Sequence, residues 1–132
     1  NPKKMRKDKI IGDMNEEWLT RDKIIQQYYH NSKMCGQPFT VSANLDMFKW
    51  IKFVNDKKNI DTGNKTTPLL FISGGDDALS DYGNQIKKLI KLLKDLEYQQ
   101  VDYKIYPNAR HEVLNEINKD EVYQDVLSFY DK

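Results

Sequence analysis

The first half of the chain carries apolar residues at helical spacing. Beyond Thr20, whose side chain is suited to capping a helix, apolar residues recur once per turn until Asn31-Ser32, which predicts a helix. A second helix is predicted from Ser42. Its apolar residues cover most of the circumference rather than one stripe, which indicates burial in a core, the interpretation we prefer, or contact with an apolar partner. They are Leu45, Met47, Phe48, Trp50, Ile51, Phe53 and Val54.

The second half changes to a strand-like pattern. A polar connector over residues 55–67 precedes a continuous apolar run, 68–73, which is typical of a strand buried on both faces of a parallel sheet. An amphipathic helix follows, and then a second strand over Val101 to Tyr106. Asn118 with Glu121 has the spacing of a capping box and predicts a last helix. The apolar face of the amphipathic helix comprises Ile86, Leu89, Ile90, Leu93 and Leu96.

These elements form one strand–helix–strand unit with a trailing helix, and its crossover should be right-handed. Two parallel strands are too few for a self-sufficient sheet, since parallel sheets are stable when several strands are covered on both faces. Either the first half supplies further strands, with residues 39–41 as the nearest candidate, or polypeptide outside the chain completes the sheet. We favour the second alternative.

Charge and composition exclude several classes of protein. The 132 residues carry a net charge of +1, with 21 basic and 20 acidic side chains, so nucleic acid is not an expected partner. The opening run of Lys3, Lys4, Arg6, Lys7 and Lys9 is interpreted as a solvated, mobile end, with lipid-headgroup contact as the alternative. No apolar run approaches the roughly 18 residues of a membrane span.

Cys35, the one cysteine, excludes an internal disulfide framework and agrees with a reducing compartment. No metal-ligand cluster is visible, and no cofactor is expected. The compartment stays open: cytoplasmic or membrane-peripheral placement is favoured, and a targeting signal upstream of Asn1 stays an alternative.

Ionisable side chains follow each predicted strand. Gly74-Gly75-Asp76-Asp77 comes directly after the first strand, and a loop centred on Arg110-His111 follows the second. Because loops after adjacent parallel strands share one edge of the sheet, an aspartate and a histidine 34 positions apart can meet there. A carboxylate fixes the tautomer of a histidine base and stabilises its imidazolium. The alternatives without a catalytic role are a tight turn with a helix cap for the aspartates and an ordinary surface position for the histidine.

The same residues carry a family resemblance. The run Leu70–Asp77, the pair Tyr82-Gly83 and above all the string Tyr103–Glu116 resemble the end of α/β-hydrolases of the lysophospholipase and monoacylglycerol-lipase (serine aminopeptidase S33-like) type. Trp18–Asp22, with Cys35-Gly36 and Phe39-Thr40, resembles the helical cap of that family. The resemblance implies a cap region over residues 1–62 and the C-terminal strand–helix part of the hydrolase core over residues 63–132.

The resemblance assigns the triad acid to Asp77, with its neighbour Asp76 as runner-up, and the base to His111. Ala78 stands where many relatives have proline, so the turn after the acid is expected to be less rigid. No Gly-x-Ser-x-Gly elbow occurs in the 132 residues, and the family's oxyanion-hole donors also come from its earlier half. The serine nucleophile is therefore expected upstream of Asn1 or is absent.

The resemblance implies a serine hydrolase of carboxylic esters that acts on a lipid or another small ester and is inactive as this chain alone. The missing N-terminal part would be its partner. A non-catalytic interaction module and a peptidase on the same scaffold are the alternatives.

Several other side chains are candidates for a functional role. His30 and Cys35 are interpreted as structural. Glu112 and Glu116 either steady the base loop by hydrogen bonding or are simply solvated. The aromatic residues can line an acyl-chain tunnel, although packing in a core is slightly favoured for each of them. They are Trp18, Phe48, Trp50 and Phe53.

Overall fold

The computed structural model describes residues 2–8, 10–12 and 15–131. Its first half is helical, with α1 (Pro2–Lys7), a 3₁₀ turn (Asn15–Trp18), α2 (Lys23–Asn31), α3 (Val41–Val54) and α4 (Lys57–Asp61). Its second half comprises β1 (Leu69–Gly74), α5 (Asn84–Asp95), β2 (Val101–Tyr106), a 3₁₀ turn (Val113–Asn115) and α6 (Lys119–Tyr130). None of the helices in these ranges has the length and apolar character needed to cross a bilayer.

The two strands form a parallel sheet with α5 between them in the chain. The register runs from Leu69 beside Val101 to Gly74 beside Tyr106. This confirms the predicted α/β organisation, and β2 has the predicted bounds. Because the strands are parallel and in register, their carboxyl ends lie side by side, and the loops after them are brought together.

Two apolar clusters hold the second half together. Between α5 and the sheet, buried Ile90, Leu93 and Val101 form a cluster, and partly buried Leu69 and Phe71 pack against it. Beneath the loop after β2, a second cluster comprises Tyr106, Ala109, Val113 and Val122, with Ile72 packed against it. The α5 stripe is buried as predicted, because its one apolar face meets an apolar strand surface.

The first half differs from the prediction at its helix boundaries. Asp22, not Thr20, caps α2, since its carboxylate accepts hydrogen bonds from the backbone of Ile24 and Ile25. The Thr20 hydroxyl instead donates to the carbonyl of Asn115, 2.8 Å away. The Thr20 hydroxyl, which the local sequence pattern predicts as the helix cap, is therefore used in a tertiary hydrogen bond.

Nearby, α3 starts one residue early, at Val41, and the polar connector contains the short helix α4. Residues 39 and 40 have no regular structure, and Val41 opens a helix, so this segment contributes no strand.

The preferred interpretation of α3 as a core helix is wrong. No residue of α3 is buried, and Val41 and Trp50 are 88% and 64% exposed. The helix is apolar around most of its circumference, and the described chain offers no apolar surface that covers it.

The opening basic run also departs from the predicted mobile end. Pro2–Lys7 is helical, Met5 is fully buried against Ile11 and Ala78, and Lys4 Nζ lies 2.7 Å from Asp81 Oδ1. Lys9 lies outside the described residues.

At α6 the cap residue is Asn118, as predicted, but its side chain makes no capping hydrogen bond to the backbone. Its amide nitrogen donates to Glu121 Oε2 at 3.0 Å, while its oxygen accepts from Arg21 Nη2 at 2.8 Å. The oxygen that would cap the helix is already occupied.

Candidate active site

The loops after β1 and β2 are joined by backbone hydrogen bonds. Gly75 N donates to Tyr106 O at 2.8 Å, and Asp76 N donates to Ala109 O at 2.9 Å. Gly74 makes this close approach possible, because a β-carbon at that position would overlap the carbonyl oxygens of Ala109 and Arg110. The two loops are thus held against each other by the main chain before any side chain is considered.

Asp77 reaches His111 across this junction. Its carboxylate is almost fully buried, with Oδ1 accepting from the backbone N of Leu79 at 2.8 Å and Oδ2 lying 3.2 Å from His111 Nδ1. Asp76 is half-buried and bonds the base loop through its backbone N. The structure therefore brings Asp77, rather than its neighbour, to the imidazole.

The contact shifts both pKa values in the directions that favour an ion pair. Burial alone would raise the pKa of Asp77, but the hydrogen bonds from His111 and the Leu79 backbone outweigh burial, and the pKa lies below its ordinary value. The hydrogen bond to Asp77 raises the pKa of His111 against the opposing effect of burial, with a smaller contribution from the charge of Glu112. An imidazolium at this position is stabilised relative to water.

His111 also presents an open side. With Nδ1 occupied by Asp77, the other ring nitrogen, Nε2, is left for a reacting group. The His111 side chain is 38% exposed. It borders an open cleft of about 300 Å³ whose other lining residues are Ile72, Glu112, Val113, Leu114 and Asn115. The arrangement can accept and return a proton at a site that a small molecule can enter.

One face of the imidazole is covered by Trp18. The ring centroids are 4.9 Å apart and the planes are inclined by 29°, a stacked arrangement. His111 N donates to Trp18 O at 3.4 Å, and Glu112 N donates to Leu19 O at 2.7 Å. Sequence reasoning gave Trp18 a place in a tunnel or a core and missed its contact with the base. One indication of this contact was present in the sequence: both Trp18–Asp22 and Tyr103–Glu116 belong to the motifs that carry the family resemblance.

Arg110 ties the same two segments together. Its guanidinium donates to the carbonyls of Glu17 and Thr20, the latter at 3.1 Å, and to Ile10 O at 3.3 Å. Sequence reasoning used Arg110 only as part of a motif. The structure shows it holding the segment before α2 against the loop that carries His111.

Glu112 and Glu116 have different surroundings. Glu112 is half-buried and its Oε2 accepts from Asn115 Nδ2 at 2.8 Å. Glu116 is fully buried and hydrogen-bonded, so the steadying interpretation holds for it.

In the part of the chain that the structure describes, no serine hydroxyl is hydrogen-bonded to the imidazole. Ser73 donates to Ser80 Oγ at 3.1 Å, and Ser80 donates to the backbone oxygen of Asp77 at 3.0 Å. The described residues contain no group of three or more histidine, cysteine or acidic side chains that could hold a metal ion.

The remaining candidates lie elsewhere. His30 is exposed, with Nδ1 3.1 Å from Glu16 Oε1, and Cys35 is a half-buried free thiol. Phe48, Trp50 and Phe53 lie on the exposed surface of α3.

A family model described as serine aminopeptidase, S33, matches residues 3–118. The chain belongs to this family. A highly thermostable carboxyl esterase from Bacillus coagulans, solved in complex with glycerol, superposes with a TM-score of 0.83 at 20% identity. A lipase in an open form superposes with a TM-score of 0.79 at 22% identity. No curated protein matches the chain.

These comparisons identify the fold as part of an α/β-hydrolase. The superpositions cover 94% and 88% of this chain but only 41% and 38% of the esterase and the lipase. The chain thus spans about two fifths of the length of the solved structures it matches. At these identities the likeness concerns the fold alone.

Proposed function

We propose that this chain supplies the acid and the base of a serine hydrolase that acts on carboxylic esters. The observation that carries the proposal is the contact of buried Asp77 with His111 at the carboxyl ends of two parallel strands, beside an open cleft. Family membership supports the same conclusion, because a serine hydrolase requires a histidine base oriented by a carboxylate.

In the proposed reaction, His111 Nε2 takes the proton of a serine hydroxyl as the serine oxygen attacks the ester carbonyl carbon. Asp77 stabilises the resulting imidazolium, which then gives the proton to the departing alcohol oxygen. Water attacks the acyl-serine while losing a proton to His111, and that proton returns to the serine oxygen as the carboxylic acid leaves. His111 is general base and general acid in turn, and its protonation state is restored.

The nucleophile and the oxyanion-hole donors are proposed to come from polypeptide outside the 132 residues. The sequence contains no Gly-x-Ser-x-Gly, and the described residues form a sheet of only two strands. A two-stranded parallel sheet needs further strands for independent stability. In this proposal residues 1–62 belong to the cap and residues 63–132 to the core of the complete enzyme.

A fatty-acyl ester, as in a monoacylglycerol or a lysophospholipid, is the proposed substrate class. The support is the broad apolar surface of α3, which suits an acyl chain better than a polar substrate. The esterase and lipase folds agree with an ester, whereas the family description favours an aminoacyl substrate. Both reactions transfer an acyl group to water with the same acid and base, so the substrate has to be measured.

The test uses this chain alone and the protein extended to include a Gly-x-Ser-x-Gly segment. We expect the extended protein to hydrolyse monoacylglycerols and lysophospholipids in preference to aminoacyl amides, and the 132 residues alone to be inert. Preference for aminoacyl amides would transfer the proposal to the peptidase. Ester hydrolysis by the 132 residues alone, abolished by His111→Ala, would show that the nucleophile lies within this chain.

A further inference from the structure

Glu116 is a fully buried carboxylate in the loop that carries His111. Its Oε1 accepts from the backbone N of Arg110 at 2.8 Å and of Arg21 at 3.2 Å. Its Oε2 accepts from Arg21 Nε at 2.9 Å and from Ile117 N at 3.1 Å. A buried charge is tolerated only when it is paired and hydrogen-bonded, and here both oxygens are engaged.

These bonds connect two distant parts of the chain. One is the segment 17–21 before α2, and the other is the loop 109–118 after β2. Arg21 extends the connection to Asn118, and Thr20 bonds the carbonyl of Asn115. Glu116 therefore holds the loop at the residue that directly precedes His111, while also holding the segment that ends in Arg21.

The same segment carries Trp18, which is stacked on the imidazole. The backbone of Trp18 accepts from His111 N, so the indole and the imidazole are linked through the main chain as well as face to face. Asp77 Oδ2 contacts Nδ1 of the imidazole, and Trp18 covers one of its faces. Together these contacts leave the imidazole little freedom to rotate.

We propose that Glu116 and Trp18 are positioning residues for His111, with Glu116 fixing the loop backbone and Trp18 fixing the plane of the imidazole. This inference rests on the proposed role of His111 as the base. Neither residue touches the proposed reacting atoms, so both act through the placement of Nε2. A displacement of about 1 Å at such a group can cost on the order of a hundredfold in rate.

The primary readout is the exchange rate of the His111 Nδ1 proton with water, followed by its downfield nuclear magnetic resonance signal in the extended protein. The other charged side chains on the elements that contact the imidazole stay unchanged in Trp18→Leu, Trp18→Phe and Glu116→Gln; they are Glu17, Arg21, Asp76, Asp77, Asp81, Arg110 and Glu112. Trp18→Leu removes the stacked ring, and Trp18→Phe keeps an aromatic face. Glu116→Gln keeps the size of the side chain but cannot accept from all of its present donors.

We expect Glu116→Gln to raise the exchange rate by about tenfold or more, because a hydrogen bond to a charged group is lost. Trp18→Leu should raise it by about threefold to tenfold, because a stacked aromatic pair is lost. Trp18→Phe should stay near the wild-type rate. Glu97→Gln is the matched control, because Glu97 is exposed and precedes β2, at the opposite end of that strand from this loop. Exchange within about twofold of wild type in Trp18→Leu would overturn the proposal for Trp18. The same result in a folded Glu116→Gln variant would overturn it for Glu116.

Should Glu116→Gln fail to fold, Arg21→Gln removes the partner instead and is scored by the same criterion. In the extended protein, Trp18→Leu is expected to lower kcat by about tenfold to a hundredfold, with KM changed by less than about threefold. If exchange is faster in Trp18→Leu and Glu116→Gln while the His111→Ala enzyme stays active, the positioning role is supported and the proposed function is contradicted. An unchanged exchange with an inactive His111→Ala enzyme would do the reverse.

Discussion

The helices α3 and α5 have similar lengths but opposite environments. In α5 the apolar residues form one stripe, and Ile90 and Leu93 are each 4% exposed against the sheet. In α3 they spread around the helix, and none is buried. A single stripe can be covered by one neighbouring layer, whereas a helix that is apolar all round needs neighbours on several sides. The described chain provides such neighbours for α5 alone.

The difference extends to the candidate site. The proposed base lies on the well-packed half, above the cluster that contains Tyr106 and Val122. The segment 17–21 belongs to the other half in sequence but is bonded to the loop of His111. The site is therefore built where the chain is buried, and α3 presents the apolar surface that the proposed substrate or the rest of the enzyme would cover.

The largest expected effect tests whether the second half of the chain, which is packed around the sheet, carries the catalytic acid. In the extended protein, Asp77→Asn should lower kcat by about ten-thousandfold, because the asparagine favours the wrong imidazole tautomer. Asp76→Asn is the control, since Asp76 uses its backbone N in this junction. Ester-hydrolysis kinetics decide between them. Equal losses in the two variants would contradict the assignment of the acid.

A second experiment compares the two helices directly. Leu93→Ala should lower the free energy of unfolding by about 2–5 kcal/mol, since it leaves a cavity against the sheet. Leu45→Ala, at a position 54% exposed, should change it by less than about 1 kcal/mol. Urea unfolding of the extended protein measures both. A cost for Leu45→Ala as large as that for Leu93→Ala would show that α3 is covered in solution.

The ion pair of the buried half makes a pH-dependent contribution. The pKa of Asp77 is lowered, so its contribution to stability is present above the ordinary aspartate pKa and is lost as the pH falls through the folded-state value. The pKa of His111 is raised, so its contribution is complete below the ordinary histidine pKa and is lost as the pH rises through the folded-state value. Both are complete between about pH 4 and 6.5.

We therefore expect the histidine titration followed by nuclear magnetic resonance to show His111 above its ordinary pKa, and Asp77→Asn to move that pKa downward. The stability difference between wild type and His111→Gln should be greatest inside the same window. A His111 pKa that does not respond to Asp77→Asn would mean that the contact does not persist in solution.

The smallest effect concerns the two tryptophans. Trp50 is 64% exposed on α3, while Trp18 is half-buried and stacked on His111. Acrylamide should quench the fluorescence of Trp18→Phe, which retains Trp50, more strongly than that of Trp50→Phe. Equal quenching would remove the contrast between the two regions.

The predictions from sequence were correct where the local pattern and the tertiary packing favour the same structure. The apolar stripe of α5 and the strand β2 were predicted correctly, because each has a local apolar pattern that one neighbouring layer can cover. The parallel pairing of the strands followed from these two elements. The pairing of Asp77 with His111 was also predicted, because loops at the same edge of a sheet must meet. Motif resemblance chose between two adjacent aspartates that spacing could not separate.

The predictions that were wrong or incomplete concern residues whose contacts lie far away in the sequence or outside the described chain. Thr20 looks like a cap, but its hydroxyl is used by Asn115, 95 positions away. The stacking of Trp18 on His111 joins residues 93 positions apart, and no local pattern encodes such a contact. The exposure of α3 was missed because a run of apolar residues predicts burial without indicating whether the covering surface lies within the same chain.

The central claim is that His111 is the base of an ester hydrolase, and the most direct test compares the two histidines of the chain. In the extended protein, the rate of ester hydrolysis is measured for His111→Ala and for His30→Ala, whose histidine is exposed beside Glu16. We predict that His111→Ala lowers kcat by at least about a thousandfold and that His30→Ala stays within about twofold of wild type. Hydrolysis that survives His111→Ala at the wild-type rate would contradict the claim.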